Sequence, residues 1–349
     1  MFEVPVFMTL SNLYLSRPGT RLPVDCYDND RIIELVRKNY HGSKLAWVAI
    51  EAAINKILAK CSTKVRYLDF DPSSRVAGYA ADAARDCIAK NNADLNDIDM
   101  VIFGGVAREY FEPATAMEVC TNLGITETHA FDVTTACVGH LEAVQAACAY
   151  LTLHDDYQTA LVVTAELTRE FLSFDIQSLR DLQYKVAGLT IGNGAAAFLV
   201  SKRPFANGSL KIVSTDTYSL PSHWDLCQVP IHGTFTSSST ELMKLHKHII
   251  PRLKVLFEKL GWEPNDVSHY CFHQPSEFMT QKVLSKVGAD LDRGVYTHHL
   301  YGNNASATIG IVMNHLLSQK ELSSGEKLML GSAASGFTMA TISGVWMNS

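Results

Sequence analysis

The sequence predicts an α/β protein with a duplicated core, and two patterns carry that expectation. Apolar, strand-like runs alternate with segments of helical period along most of the 349 residues, as expected for sheets covered by helices. The two halves also echo each other. In each, a strand, a small-residue turn and a buried helix (Cys137 onward, Ser306 onward) are followed by a glycine-rich turn and an apolar strand (192–200 and 331–345). The run Lys202-Arg203-Pro204-Phe205-Ala206-Asn207-Gly208 reads as the join, which divides the chain into halves 1–204 and 205–349.

Taken in order, residues 28–40 have helical spacing through Ile32, Ile33, Leu35 and Val36, and 45–59 predict a second helix. A short strand is expected at 65–68, an alanine-rich helix at 76–89, and a buried strand at 98–105 stopped by glycines. Glu109-Tyr110-Phe111-Glu112-Pro113 is a loop and 116–123 a helix. The strand ending at Val133 leads to Cys137 and a helix with Leu141, Val144, Ala147, Cys148 and Leu151 at helical spacing; 160–166 is another buried strand. The mixed stretch 168–188 reads as a helical, mobile excursion over a pocket or at a subunit contact, and 195–200 as the strand after a glycine turn. In the second half we expect a strand at 210–214, a loop-rich stretch to 240, and one amphipathic helix over 241–260 bent at Pro251. A strand at 267–272, helices at 278–287 and 309–317, and strands at 327–331 and 341–346 complete the chain.

Apolar residues make up 47%, which fits a folded enzyme with a large core and argues against disorder. The formal net charge of −6 speaks against non-specific nucleic-acid binding, which rests on neutralising phosphates. No apolar run is long enough to cross a bilayer, and residues 1–8 have no signal-peptide layout, so a cytoplasmic protein is expected. The eight cysteines are scattered without a CxxC pair, and His246 with His248 lie two apart on a helix, so no metal site is expected. His298 and His299 fall in a loop without further ligands nearby, and Gly192-Asn193-Gly194 lacks a phosphate-binding fingerprint.

Three polar residues follow buried strands: Cys137, His273 and Asn303. Cys137 opens a helix, where unpaired N–H groups and the helix dipole favour a thiolate; the same pattern also describes a packed cysteine in a small-residue helix. His273 before Pro275 fits a hydrogen-bonded core histidine as well as a reactive one, and Asn303 after glycine fits a turn residue.

In combination these blocks resemble a family. Asp132-Val-Thr-Thr-Ala-Cys137-Val-Gly, Phe272-His273-Gln274-Pro275, Gly302-Asn303-Asn-Ala-Ser-Ala and Gly331-Ser-Ala-Ala-Ser-Gly336-Phe are similar to the condensing enzymes of the thiolase superfamily, in particular the ketoacyl synthase III group. The likeness runs from about Val76 to the C-terminus. It implies a duplicated five-layered α-β-α-β-α fold and a Claisen condensation that yields a β-keto thioester. Cys137 would carry the acyl group, and the N–H groups of Cys137 and Ser335 would form an oxyanion hole. His273 and Asn303 would hydrogen-bond the carbonyl oxygen of a second thioester as an enolate forms, by decarboxylation of a malonyl group or by removal of an α-proton. The substrates implied are acyl-CoA or acyl-carrier-protein thioesters, with no permanently bound cofactor. Glu112-Pro113 stands where the olefin-pathway branch, which joins two acyl chains, carries a base that reaches in from the partner subunit. That implies a homodimer, or a heterodimer with a related subunit.

Several positions depart from the family pattern. An acid and an aromatic, Glu277 and Phe278, follow His273-Gln274-Pro275-Ser276, where type III synthases have His-Gln-Ala-Asn and a carrier-docking basic residue. Tyr301 replaces a common histidine, and the first 75 residues match poorly. A specialised fatty-acid or polyketide-type synthase is therefore expected. Two other readings stay open: an acyltransferase of the same fold that passes the acyl group to an alcohol or amine, and a non-catalytic partner subunit.

Overall fold

The structure, a computed structural model, describes residues 12–348; residues 1–8, where no signal-peptide layout was expected, lie outside the described residues. The first half runs β1 (Tyr14–Leu15), β2 (Gly19–Arg21), β3 (Cys26–Asp28), α1 (Asn29–Lys38), α2 (Lys44–Cys61), β4 (Val65–Tyr67), α3 (Val76–Asn91), β5 (Met100–Gly104), α4 (Thr115–Leu123), β6 (His129–Val133), α5 (Gly139–Leu153), β7 (Thr159–Glu166), α6 (Leu179–Lys185) and β8 (Gly194–Ser201). The second runs β9 (Ser209–Ser219), β10 (Cys227–Gln228), β11 (Thr236–Ser237), α7 (Ser239–Lys244), α8 (His246–Leu260), β12 (His269–Phe272), α9 (Glu277–Val287), α10 (His298–Tyr301), α11 (Thr308–Gln319), β13 (Lys327–Ala334) and β14 (Thr338–Met347).

Ten strands form one mixed sheet, ordered β12-β13-β14-β9-β1-β8-β7-β5-β6 with β2 also on β8. The short β1 pairs antiparallel with both β8 and β9 and so joins two wings. Between the wings lies a core of α5 (Leu141, Val144, Leu151) and α11 (Ile309, Val312, Met313), packed on Ile102 and Val162 of one wing and Leu330 and Ile342 of the other. Outside the first wing, α3 and α4 cover Val101, Phe103 and Leu161. Outside the second, Leu253 and Leu256 of α8 and Leu284 of α9 cover Tyr270 and Met329. Helix, sheet, helix, sheet, helix: these are the five layers the family likeness implies. Each fully buried Leu or Ile in them contributes about 1.5–3 kcal/mol of transfer free energy.

Helix starts follow capping chemistry where a side chain is present. Asp28 accepts from the Arg31 N–H, Ser43 from Ala46 and Ser276 from Met279. The two central helices, α5 and α11, have no side-chain cap. Each follows a 3-10 turn, Ala136–Val138 and Ala305–Ala307, whose first alanine sits at positive φ (+50° and +47°). The echo read from the sequence thus extends to backbone conformation. Both helices also approach a sheet closely. A Cβ on Gly104 would lie 2.3 Å from the Gly139 carbonyl oxygen, and one on Gly310 would lie 2.4 Å from the Ala196 Cβ.

Four expectations are corrected. The helix expected over 241–260 is two helices, α7 and α8, broken at the buried Leu245; Pro251 sits inside α8. The excursion at 168–188 is mostly non-helical, with only α6 and a following 3-10 turn (Val186–Thr190); Ile176 and Leu182 bury against α1 and α2. Gly331 lies within β13 rather than in a turn, because the chain stays paired with β14 as far as Ala334. His298 and His299 open the short helix α10.

Candidate active site

Cys137 sits in the 3-10 turn that enters α5, one residue beyond the strained Ala136, so its sulfur lies at an uncapped helix start. The Ser332 hydroxyl donates to the Cys137 carbonyl at 3.1 Å and pins this turn to β13. Asp132, five residues upstream, is occupied elsewhere. Its carboxylate accepts the Thr115 and Ala116 N–H groups at 2.8 and 2.9 Å and caps α4. The electrostatics differ from the expected thiolate: burial pushes the Cys137 thiol well above the usual cysteine value, and the charges of Cys227 and Glu166 push it further. Desolvation outweighs the helix dipole, and the resting group is a thiol.

His273 follows β12, and its N–H donates to the Gly331 carbonyl at 2.8 Å, which extends the parallel pairing with β13 by one residue. It is 8% exposed, and its Nδ1 lies 3.1 Å from Thr308 Oγ1. Burial, with His298 nearby, pushes its pKa down to about 3, so the ring is neutral at neutral pH. Gln274 fixes the segment behind it. Its Oε1 accepts the Thr297 and His298 N–H groups at 2.9 and 3.0 Å, and its Nε2 donates to the Val295 carbonyl. His298 Nδ1 in turn donates to the Gln274 carbonyl at 2.9 Å, while its Nε2 accepts from the Thr63 hydroxyl at 2.7 Å.

Asn303 is held through its backbone. Its N–H donates to Thr190 at 2.8 Å and its carbonyl accepts from Gly192 at 2.9 Å, bridging to Ile191. Its side-chain Oδ1 accepts the Ala305 N–H at 3.0 Å, which orients the amide so that Nδ2 projects as a free donor among the described residues. The preceding Gly302 has φ +71°, and a Cβ there would lie 2.6 Å from the Thr190 carbonyl oxygen and 2.9 Å from the Cβ of the fully buried Arg66.

The turns carrying Cys137 and following Asn303 pack against each other, and β13 packs on the Cys137 turn. β13 thus bonds both the Cys137 turn and the His273 backbone, and the turn that follows Asn303 packs on the Cys137 turn. Ser335 lies in the turn that joins β13 to β14, beside Gly336 and Phe337, both at positive φ. The nearby Cys227 thiol is pushed up to about 11 by burial, with the Ser335 hydroxyl acting in the opposite direction. Glu112 is not brought to this cluster within one chain; it is exposed in the loop between β5 and α4. That loop is moored beside the cysteine turn, where Arg108 donates to the Thr134 hydroxyl at 2.6 Å.

Sequence reasoning missed Glu166. Fully buried at the end of β7, its carboxylate accepts the Val106 and Ala107 N–H groups, both at 3.1 Å, and the Ser306 hydroxyl. It ties the Asn303 turn to the loop after β5. An acid closing an otherwise apolar strand was the available signal.

Comparison with known proteins follows from this geometry. The description of 3-oxoacyl-[acyl-carrier-protein] synthase III matches residues 131–221 and that of its C-terminal domain residues 257–346, together more than half of the chain. A β-ketoacyl-[acyl-carrier-protein] synthase III of Clostridium botulinum is 22% identical, with 97% of this chain and 99% of the relative covered. An acyl-CoA:acyl-CoA alkyltransferase of Xanthomonas campestris is 25% identical, with 79% of this chain and 84% of the relative covered. Among solved structures, OleA of X. campestris superposes with a TM-score of 0.86 at 21% identity, covering 98% of this chain and 100% of that one. FabH of Pseudomonas aeruginosa superposes with a TM-score of 0.81 at 19% identity, covering 96% and 98%. These superpositions agree with the layered fold, and the matched descriptions span the cysteine, histidine and asparagine blocks. The chain belongs to the thiolase-superfamily condensing enzymes of the 3-oxoacyl-[acyl-carrier-protein] synthase III type.

Proposed function

We propose that this protein joins two acyl thioesters by a Claisen condensation through an acyl group held on Cys137. The observation that supports the reading is that β13 bonds both the Cys137 turn and the His273 backbone, while the turn after Asn303 packs on the Cys137 turn. Cys137 attacks the first thioester, acyl-CoA or acyl-carrier protein. The N–H groups of Cys137 and Ser335 stabilise the oxyanion. The carbonyl oxygen of the second thioester lies between His273 and Asn303 Nδ2 as its α-carbon becomes a carbanion, which attacks the acyl-cysteine and releases a β-keto thioester. No resident metal or cofactor takes part in these steps.

The working unit in this reading is a homodimer, and the division into related halves falls at 204/205. β6 is the outer strand of the sheet with only β5 beside it, and Tyr110, Phe111 and Met117 are exposed near it (51, 79 and 51%). An open edge flanked by apolar side chains supports pairing with a second copy. Glu112, next to Phe111, would then enter the partner's site and remove the α-proton. A cytoplasmic location is consistent with the absence, among the described residues, of a helix long and apolar enough to cross a membrane.

Intact-mass spectrometry after exposure to a panel of acyl-CoAs and acyl-carrier proteins tests the reading. An adduct of acyl mass is expected on the native chain and none on Cys137→Ala. Labelling that persists in the variant overturns it.

A further inference from the structure

We propose that the segment joining α2 to β4 and running through β4, Thr63 to Tyr67, is a clamp that sets both donors of the second-thioester site: Arg66 is a positioning residue for Asn303, and Thr63, through His298, is one for His273. The proposal deepens the condensing-enzyme reading and rests on it for the role of those two donors. The clamp lies upstream of the residues that the synthase III descriptions match, which begin at 131. Arg66 is fully buried, and burial lowers its pKa to about 10, so it stays charged at neutral pH. Nε and Nη2 both donate to the Leu189 carbonyl, at 3.1 and 2.8 Å, and Nη1 donates to Asn29 Oδ1 at 2.8 Å. Two charge-assisted bonds to one oxygen leave that peptide little freedom. The next carbonyl along, that of Thr190, accepts the Asn303 N–H at 2.8 Å. Two residues further on, the Gly192 N–H donates to the Asn303 carbonyl, and then the Asn193 N–H donates to the Tyr67 carbonyl at 2.7 Å. Residues 189–193 are thus bonded to β4 and to Asn303 together. The stem of Arg66 runs against both glycines of this contact: a Cβ on Gly192 would lie 3.3 Å from the Arg66 Cβ, and one on Gly302 2.9 Å.

Three residues before Arg66, Thr63 reaches the other donor. Burial pushes His298 down to about 4, so its ring is neutral and has one N–H. A carbonyl only accepts, so the proton is on Nδ1, which donates to the Gln274 carbonyl at 2.9 Å, and Nε2 accepts the Thr63 hydroxyl at 2.7 Å. Gln274 returns the hold by accepting the Thr297 and His298 N–H groups. The line from Thr63 through His298 ends on the residue next to His273, and β4 packs on α10, which His298 opens. The two donors come from places thirty residues apart in the chain and must meet one oxygen atom. A displacement of about 1 Å at such a site costs on the order of a hundredfold in rate. One five-residue piece grips both, and none of its hydrogen bonds among the described residues goes to the Cys137 turn. Loosening the clamp should therefore spare acylation of Cys137 and slow the condensation that follows.

The experiment compares wild type, Arg66→Lys, Thr63→Val and Thr63→Ser. Lysine keeps the charge without the two-bond grip on Leu189, and serine keeps the hydroxyl. Hydrogen exchange read by mass spectrometry reports the clamp without any substrate. Peptides covering 189–193 and 297–304 should exchange faster in Arg66→Lys, and those covering 297–304 faster in Thr63→Val, while peptides of α5 stay as in wild type. Single-turnover rates report the consequence. Arg66→Lys and Thr63→Val should acylate Cys137 at the wild-type rate and condense roughly tenfold to a hundredfold more slowly, and Thr63→Ser should behave as wild type. A purely structural role would instead lower both rates together, in proportion to the folded fraction. Equal losses in acylation and condensation overturn the proposal, as does wild-type exchange at these peptides in both Arg66→Lys and Thr63→Val. If Arg66→Lys does not fold, the Thr63 pair decides. Absence of acylation in wild type would count against the condensing reading, while the exchange data judge the clamp separately.

Discussion

Replacing Glu166 by glutamine tests whether a buried carboxylate organises the site. In the native chain the two oxygens receive three donors: Val106 N–H and Ser306 O–H on Oε1, and Ala107 N–H on Oε2. A glutamine of the same shape keeps at most the Oε1 pair and turns its NH2 toward the Ala107 N–H. One hydrogen bond is lost, two donors face each other, and the remaining bonds lose their charge assistance. An unsatisfied buried donor costs about 1–3 kcal/mol, so Glu166→Gln should cost about 2–3 kcal/mol and Glu166→Ala, which strands all three donors, about 3–5 kcal/mol. Denaturant midpoints at constant m-value measure this. Thiol chemistry gives an independent sign. Burial pushes the Glu166 carboxyl above the usual carboxylate range; to the extent that it is ionised, its charge raises the Cys137 pKa, so removing it should speed alkylation of Cys137 by iodoacetamide at neutral pH while the fold weakens. A glutamine variant as stable as wild type, with unchanged alkylation, would refute the role given to the carboxylate.

Three further outcomes are expected. Cys137→Ala and Glu112→Gln should each fail to condense two acyl chains, but mixed after dissociation and reassociation they should recover about a quarter of wild-type activity, because half the dimers hold one complete site; no recovery would show that Glu112 does not act across subunits. His140 and His273 are pushed down to about 3 and His298 to about 4, chiefly by burial. The unfolded chain therefore binds more protons below pH 6.5, the ordinary histidine value, and stability should fall as pH drops from there toward 3, by up to about 1.4 kcal/mol per pH unit for each ring; equal unfolding midpoints at neutral and mildly acidic pH would contradict this. Gly302→Ala should destabilise by about 2–4 kcal/mol, since a side chain at that backbone angle meets the Thr190 carbonyl and Arg66; differential scanning calorimetry should show a lowered Tm.

The layers were legible because periodicity is a local signal: α5 with Leu141, Val144 and Leu151, and the apolar β7 and β8, declare their buried faces within a few residues. The cysteine, histidine and asparagine blocks were legible for a related reason, since polar residues after buried strands are conspicuous. What stayed hidden depends on partners distant in the chain. Thr308 is an ordinary helix-opening residue until His273 is placed beside it. The thiolate expectation at Cys137 erred because a helix start is visible in sequence and the depth of burial is not. Glu112 is harder still, because its proposed role needs a second chain.

The close contacts made by Gly104 and Gly310 have a consequence for how such a protein can drift. The distance between sulfur and amide is set where α5 and α11 rest on the sheet, and at those places there is no room for one methyl group. A mutation to alanine at either glycine would slide a whole helix and carry its reactive end with it. Inactive variants with every polar side chain intact should therefore arise at these seams, and a search confined to the pocket lining would overlook them.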